Sequence, residues 1–502
     1  MNPAVTMPKS GLLALLCGAL VPLGFAPLGW YPMPLVALAL LVFLLHRRPP
    51  GQAFLLGWLF GMGQFGVGVS WVYISIYLYG NASLALSMLV MLLFVAFLAM
   101  YPALMAWVMA KTGCVRRNWF FTVLFPVAWV LSEWLRSWLF SGFPWLNLGY
   151  SQVQGPLLGV APVLGAYGVG WLSALSAGLL AWMVQATLAR RLLATAVLAA
   201  IWLSTYGLGQ LQWSQPTGDK LKVAVVQGNI SQDLKWKPEQ QQATLERYVE
   251  MTRRHADADL VVWPETAIPA FYDELEESFI EPLRNELQQQ GQSLVTGIPV
   301  LNRDTWKYYN SVISLDQPGH FYYKVHLVPF GEYLPLRSQL AGILNFLPVP
   351  QSDFSAGRTD QPLLQAAGYP FGASICYEIV FGEQLINSLP RAAFLVIVSN
   401  DALFGISLEP HQLLEMARMR ARDVERYLIR ATNTGFSAVI GPDGRDLVQS
   451  GQFTTEVINA YIQPRSGATP YVRWGNWPVL VTCWLLLLVS WIKCRSFDPP
   501  VQ

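Results

Sequence analysis

Three residues in the polar middle of the chain are of types that together supply a base, a cation and a soft nucleophile. Glu265 follows the run "VVWP", Lys324 lies within "FYYKVH", and Cys376 closes "FGASIC". A thiol is a weak nucleophile until it loses its proton, so a catalytic cysteine needs a base to take that proton or a cation to lower its pKa. A carboxylate and an ammonium supply both, and the ammonium can then stabilise an oxyanion. Taken singly, each residue has a plainer explanation: an edge carboxylate, a solvent-facing strand lysine, a core thiol. Cys376 is, however, the only cysteine between residues 218 and 470, so no internal disulfide is open to it there. Cys17, Cys114, Cys483 and Cys494 lie within or beside apolar segments.

The elements that would position these residues alternate short β-rich runs with helical patterns. Strands are expected at 221–230, 259–266, 293–300, 310–315, 321–330, 371–378, 394–400 and 435–444. Helices are expected at 238–256, 275–290, 379–389 and 408–430, the last rich in Arg and Glu and so exposed and amphipathic. Several strands are continuous apolar runs, typical of sheets covered on both faces. The expected architecture is an α/β sandwich layered helix, sheet, sheet, helix. Pro264 ends its run and leaves Glu265 at a strand's C-terminal edge, where Cys376 also sits.

The rest of the chain is of another kind. Only 13% of all residues are charged and 53% are hydrophobic, against about a quarter charged in a typical soluble domain. Spanning helices need roughly 20 mostly apolar residues, and eight are expected, at 10–28, 31–46, 54–79, 83–110, 119–139, 157–188, 192–209 and 477–493. The domain division is then 1–217 for seven spans, 218–470 for the polar domain, and 471–502 for the eighth span with a short tail. Arg47 and Arg48, Lys111 with Arg116 and Arg117, Arg190 and Arg191, and Lys493 with Arg495 follow every second span, while the connections between them carry no Lys or Arg. Basic loops face the cytoplasm, so the polar domain faces outward.

Eight spans also suit a transporter, but transporters place ionisable residues within the membrane. Here the spans are nearly bare of charge. Glu133 and Arg136, three apart in "LSEWLRSW" near an outward end, read as an interfacial ion pair. His255, His320, His326 and His411 have no metal-ligand spacing, so neither a metal nor another cofactor is expected.

"WPET" at 263–266, Lys324 in "YKVHLVPFGEYLP" and Cys376 in "ICYE" resemble, in order and separation, the Glu–Lys–Cys triad of the carbon–nitrogen hydrolase, or nitrilase, superfamily. Seven spans before such a domain and one after it resemble the apolipoprotein N-acyltransferase family, as do "SGFPWLNLGYSQ" and "LVPFGEYLPLR" (327–337). The likeness runs over nearly the whole chain.

That resemblance implies a bacterial inner-membrane acyltransferase with a periplasmic catalytic domain, acting in two ping-pong steps in the last stage of lipoprotein maturation. Cys376, deprotonated by Glu265, would take an acyl chain from a membrane phospholipid as a thioester, with Lys324 and a backbone N–H near Tyr377 stabilising the oxyanion. Phosphatidylethanolamine is the expected donor. The α-amine of a diacylglyceryl-cysteine at an apolipoprotein's N-terminus would then receive the chain. The family places a second carboxylate, here Glu332, at the active site and a substrate-gating tryptophan at Trp236. Tyr377 and Glu378 would shape the pocket or pair with Lys324. The apolar stretch 333–350 reads as a lid dipping into the bilayer, or else as domain core. A monomer that binds no nucleic acid is expected. The nearest rival is a membrane-tethered amidase using the same triad on a small substrate.

Overall fold

The computed structural model describes residues 7–80, 82–333 and 353–495. The chain divides into two compact units, one drawn from 1–73, 83–211 and 474–502, the other from 74–82 and 212–473. The lid expected at 333–350 lies, beyond Tyr333, outside the described residues.

The second unit is built on two six-stranded sheets. The first runs in the order β13–β2–β3–β4–β5–β6, formed by Glu456–Ile462 (β13), Leu221–Gln227 (β2), Leu260–Val262 (β3), Ser293–Asn302 (β4), Lys307–Ser314 (β5) and Phe321–Tyr323 (β6). The second runs β12–β11–β10–β9–β8–β7, formed by Asp446–Gln449 (β12), Ala438–Ile440 (β11), Leu428–Thr432 (β10), Phe394–Ser399 (β9), Tyr369–Ile375 (β8) and Leu364–Ala366 (β7). Ser214–Pro216 (β1) and Arg465–Gly467 (β14) form a separate antiparallel pair. In each sheet three parallel strands, β2–β3–β4 and β8–β9–β10, are flanked by antiparallel ones.

Alternation along β2 explains the layering. Val223 and Val225 point between the sheets, packing with Val262, Val295 and Val312 against Ile375, Val396, Val398 and Ile429 of the second sheet. Ala224 and Val226 point the other way, onto Leu245, Tyr248 and Val249 of helix Pro238–Arg253. A strand covered on both faces has no polar side to show, which is why it reads as an unbroken apolar run. Helix Glu409–Val424 packs on β10 and β11 of the second sheet. The layers are therefore helix, sheet, sheet, helix.

Several expectations fail in this unit. The helix expected over 408–430 ends at Val424, where Glu425 turns left-handed (φ 47°), and 428–432 is a strand. That helix is buried along almost its whole length rather than exposed. Its charges are tolerated because they are paired, Arg420 with Asp423 at 2.6 Å and Arg418 with Asp446; buried ions need such partners. The strand expected over 321–330 is likewise only three residues long, for the backbone leaves the sheet at Lys324.

In the first unit five helices are long and apolar enough to cross a membrane: Met7–Gly24, Leu84–Lys111, Pro156–Met183, Leu188–Gly209 and Trp477–Cys494. A sixth is reached if Pro50–Gly68 and Val72–Leu78, whose residues from Ile74 on belong to the second unit, count as one broken span. Eight are not found among the described residues, because Pro32–Leu45 and Leu124–Arg136 have only 14 and 13 residues, short of the roughly 20 a span requires. Glu133 and Arg136 lie in the last turn of Leu124–Arg136. Both are buried, and both hold the segment that follows: Glu133 accepts from Trp129 Nε1 (2.9 Å) and Leu148 N (2.8 Å), while Arg136 donates to Phe143 O (2.6 Å) and Asn147 Oδ1 (2.7 Å). Cys114 and Cys494 form a disulfide, which their apolar settings gave no reason to expect.

Candidate active site

Glu265, Lys324 and Cys376 all lie just beyond strand ends, where the backbone leaves the ladder and side chains are free to converge. Glu265 follows β3 in a turn fixed from beneath. Trp263 is fully buried and donates from N to Val295 O (2.9 Å), and Gly297 N donates to Pro264 O (3.2 Å). Thr266 closes the turn in the left-handed region (φ 46°), an arrangement that costs a β-branched residue about 1–2 kcal/mol. Cys376 follows β8 and is left-handed too (φ 52°). Strain of this kind survives where surrounding contacts over-determine it.

Lys324, 1% exposed, donates from Nζ to Glu332 Oε1 at 2.8 Å. Glu332 is in turn held by Val328 N, which donates to its Oε2 at 2.8 Å. Asn310 on β5 ties the carboxylates together. Its Nδ2 donates to Glu265 Oε1 (2.7 Å) and Glu332 Oε1 (3.3 Å), and its carbonyl accepts from Lys324 N (2.9 Å). Sequence reasoning missed Asn310, which the run "NSVISL" does not set apart from its polar neighbours Ser311 and Ser314.

Glu378 does not hold Lys324. Its two oxygens accept from Val325 N (2.6 Å), His326 N (3.1 Å), Ile375 N (2.8 Å), Tyr322 Oη (3.0 Å) and Gln384 Nε2 (2.7 Å). One buried carboxylate thus fastens the backbone just after Lys324 to the backbone just before Cys376. Tyr377 is buried with its ring against Phe381 and His326. Trp236 is half exposed; its backbone N–H donates to Leu234 O. Its neighbour Lys235, which the sequence did not single out, is buried and donates to Glu265 O (3.0 Å) and Thr266 Oγ1 (2.8 Å).

The electrostatics follow from burial and from these partners. Burial opposes the charge on Lys324, but Glu332, Glu265 and Cys376 outweigh it and raise its pKa, so the ammonium persists. Burial raises Glu265, with Lys324 pulling the other way and Glu332 adding to the rise. Burial and the Glu265 carboxylate push the Cys376 thiol well up, while Lys324 draws it down. The two largest charges acting on Cys376 are therefore the two that the sequence singled out, with Asp401 and Glu409 adding to the rise.

A two-sheet α/β sandwich with such a cysteine beyond a parallel strand defines a class, and residues 222–471 match the carbon–nitrogen hydrolase family. Residues 17–179 match the apolipoprotein N-acyltransferase N-terminal domain. The apolipoprotein N-acyltransferase of Methylococcus capsulatus is 47% identical over 481 residues, covering 95% of this chain and 94% of its own. Those of Nitrosomonas europaea and Pseudomonas syringae pv. tomato are 43% and 41% identical, over 94% and 96% of this chain and 95% and 96% of theirs. The chain belongs to the apolipoprotein N-acyltransferase family.

Proposed function

We propose that the protein transfers an acyl chain from a membrane phospholipid, through a thioester on Cys376, to the N-terminal amine of a diacylglyceryl apolipoprotein. The observation that carries this reading is the bonded set at the strand ends: Asn310 joins Glu265 to Glu332, Glu332 holds Lys324, and Glu378 fastens the backbone after Lys324 to the backbone before Cys376. Glu265 accepts the thiol proton as the sulfur attacks the ester carbonyl. Lys324 and a backbone N–H near Tyr377 stabilise the tetrahedral oxyanion. The intermediate collapses with cleavage of the C–O bond, and the lysophospholipid oxygen takes the proton back from Glu265. In the second half the lipoprotein's free amine attacks the thioester and Glu265 accepts its proton. Cleavage of the C–S bond leaves an amide and returns the thiolate, which is reprotonated from Glu265.

A thioester is more reactive toward amines than an oxygen ester, so one hard step becomes two easier ones. Glu332 keeps Lys324 charged and in place, and Glu378 braces the nucleophile's turn. The basic flanks of the apolar helices favour an inner-membrane protein with this domain in the periplasm, where donor and acceptor share one leaflet. Phosphatidylethanolamine is the proposed donor.

Intact-protein mass spectrometry of the detergent-purified protein after incubation with phospholipid tests the reading. A hydroxylamine-labile fatty-acyl adduct in wild type but not in Cys376→Ala is the expected result. No adduct, with or without an amine acceptor, would sink the phospholipid mechanism and favour the tethered amidase.

A further inference from the structure

Lys235 is a buried cation outside the triad, and its contacts are unusual in kind. Its Nζ donates neither to Glu265's carboxylate nor to another acid but to Glu265 O (3.0 Å) and Thr266 Oγ1 (2.8 Å). These two groups belong to the strained turn that carries Glu265. Burying an ammonium is costly unless its hydrogen bonds are met, so its presence here calls for a reason. The segment that bears it is tied to the other sheet. Asn433, just past β10, accepts from Ile230 N (2.8 Å) and donates to Ile230 O (2.7 Å), and Asn400, just past β9, donates to Gln232 Oε1 (2.9 Å). Residues 230–235 therefore run from the ends of β9, which pairs with Cys376's own strand, and of β10 beyond it, to the turn of Glu265.

We propose that Lys235 is a positioning residue, which clamps the left-handed turn at Thr266 and so fixes Glu265 relative to the sheet that carries Cys376. This rests on Glu265 being the base, as proposed above. It also places the exposed Trp236 on the same clamp, one residue away from the ammonium. The clamp has an electrical consequence. Lys235 is pushed down to about 8 by burial, with Glu265 partly restoring it. It is thus still charged at neutral pH and favours the Glu265 carboxylate. The other charged groups acting on that carboxylate are Lys324 beyond β6 and Glu332 of the 328–332 turn, with the neutral Asn310 on β5 donating to it.

The test is the rate of Cys376 alkylation by iodoacetamide against pH, read by intact mass on the full-length protein, with melting temperature measured in parallel. This probe depends on the base and the thiol but not on any lipid. Lys235→Met is expected to slow alkylation by about 10²-fold, as a misplacement near 1 Å does. Its acidic limb should move to higher pH, because Glu265 loses a neighbouring cation. Thr266→Val removes one acceptor but keeps the charge, so its rate should fall while its limb stays in place. A wild-type rate and limb in Lys235→Met would overturn the proposal. So would a rate loss that merely follows the melting temperature, with the limb unmoved. If Lys235→Met does not fold, Thr266→Val decides, and a wild-type rate there overturns the clamp. A wild-type protein that alkylates normally yet takes no acyl chain from phospholipid counts against the donor assignment instead, and leaves the Lys235 result standing.

Discussion

Gly297 lies in the middle of β4, directly beneath the turn that carries Glu265, and its replacement by alanine isolates the importance of that turn's position. A Cβ added there would come within 2.6 Å of Thr266 N, 2.7 Å of Glu265 Cα and 2.9 Å of Pro264 O, all backbone atoms that no rotamer change can move. Ordinary contact begins near 3.4 Å, so Glu265 must recede by about 0.7 Å or the strands must part. Alanine otherwise suits a strand better than glycine by about 0.5–1 kcal/mol, and overpacking costs about 1–3 kcal/mol. The net loss of stability is therefore modest, about 1–2 kcal/mol. Activity should suffer more: a 1 Å displacement of a reacting group costs about 10²-fold, so about 0.7 Å predicts a loss between about 10- and 10²-fold. The assay is the time course of acyl adduct on Cys376 from phospholipid, by intact mass, with urea unfolding of the same samples. Gly297→Ala at the wild-type rate would refute the argument that Glu265's place depends on this close approach. A fall in rate no larger than the loss of folded protein would do the same.

Other outcomes follow from the charges and the cysteines. Lys324→Met removes the cation that draws the Cys376 thiol down, so the pH at which iodoacetamide begins to react should move upward; an unchanged profile would show that Lys324 does not act on the thiol. Glu378→Gln replaces acceptor oxygens with an amide whose N–H groups face backbone donors, and should cost about 3 kcal/mol with slower acylation, measured by urea unfolding and adduct formation. A stability equal to wild type would deny it the bracing role. Cys17, Cys376 and Cys483 are free while Cys114 is bonded to Cys494, so a denatured but unreduced sample should label three thiols, and five after reduction. Five without reduction would show the pair to be a dithiol instead.

What the sequence disclosed and what it hid divide along physical lines. β4, β8 and β9 were legible because a strand buried on both faces must be apolar throughout, and Glu265 and Cys376 were legible because they interrupt such runs at their ends. The helix ending at Val424 was misread because charge in a periodic pattern ordinarily marks a solvated face. Here Arg420 finds Asp423, and Arg430, taken for part of that helix, finds Asp401 at 2.6 Å from within β10. Periodicity carries no information about whether a charge will find a partner. Lys235 was hidden for the same reason. In "LKWKPE" it reads as a surface lysine, and its partners lie 30 and 31 residues away. Hydropathy measures apolar length without seeing where a helix stops, as at Leu45 and Arg136, so the expected spans and the observed helices differ in their bounds.

The same electrostatics bear on why a family with this site would work in two steps. A partly buried thiol raised this far is inert unless its proton has somewhere to go and its anion something to face. Of the two carboxylates beside Lys324, Glu332 is already committed: its Oε1 takes Lys324 and Asn310 and its Oε2 takes Val328 N. A proton placed there would have to break the pairing that keeps Lys324 charged. Glu265 has one oxygen held by Asn310 and is the carboxylate left to receive a proton. A site with one usable acceptor cannot deprotonate a thiol and an amine at once. It can serve them in turn, provided the proton leaves with the first product before the second nucleophile arrives. On this argument Glu332→Gln should impair both half-reactions alike through Lys324, whereas Glu265→Gln should leave Lys324 charged and still abolish both. A Glu332→Gln protein that loses only the second half-reaction, measured as a stable acyl adduct no amine can drain, would mean that Glu332 is itself the base for the amine.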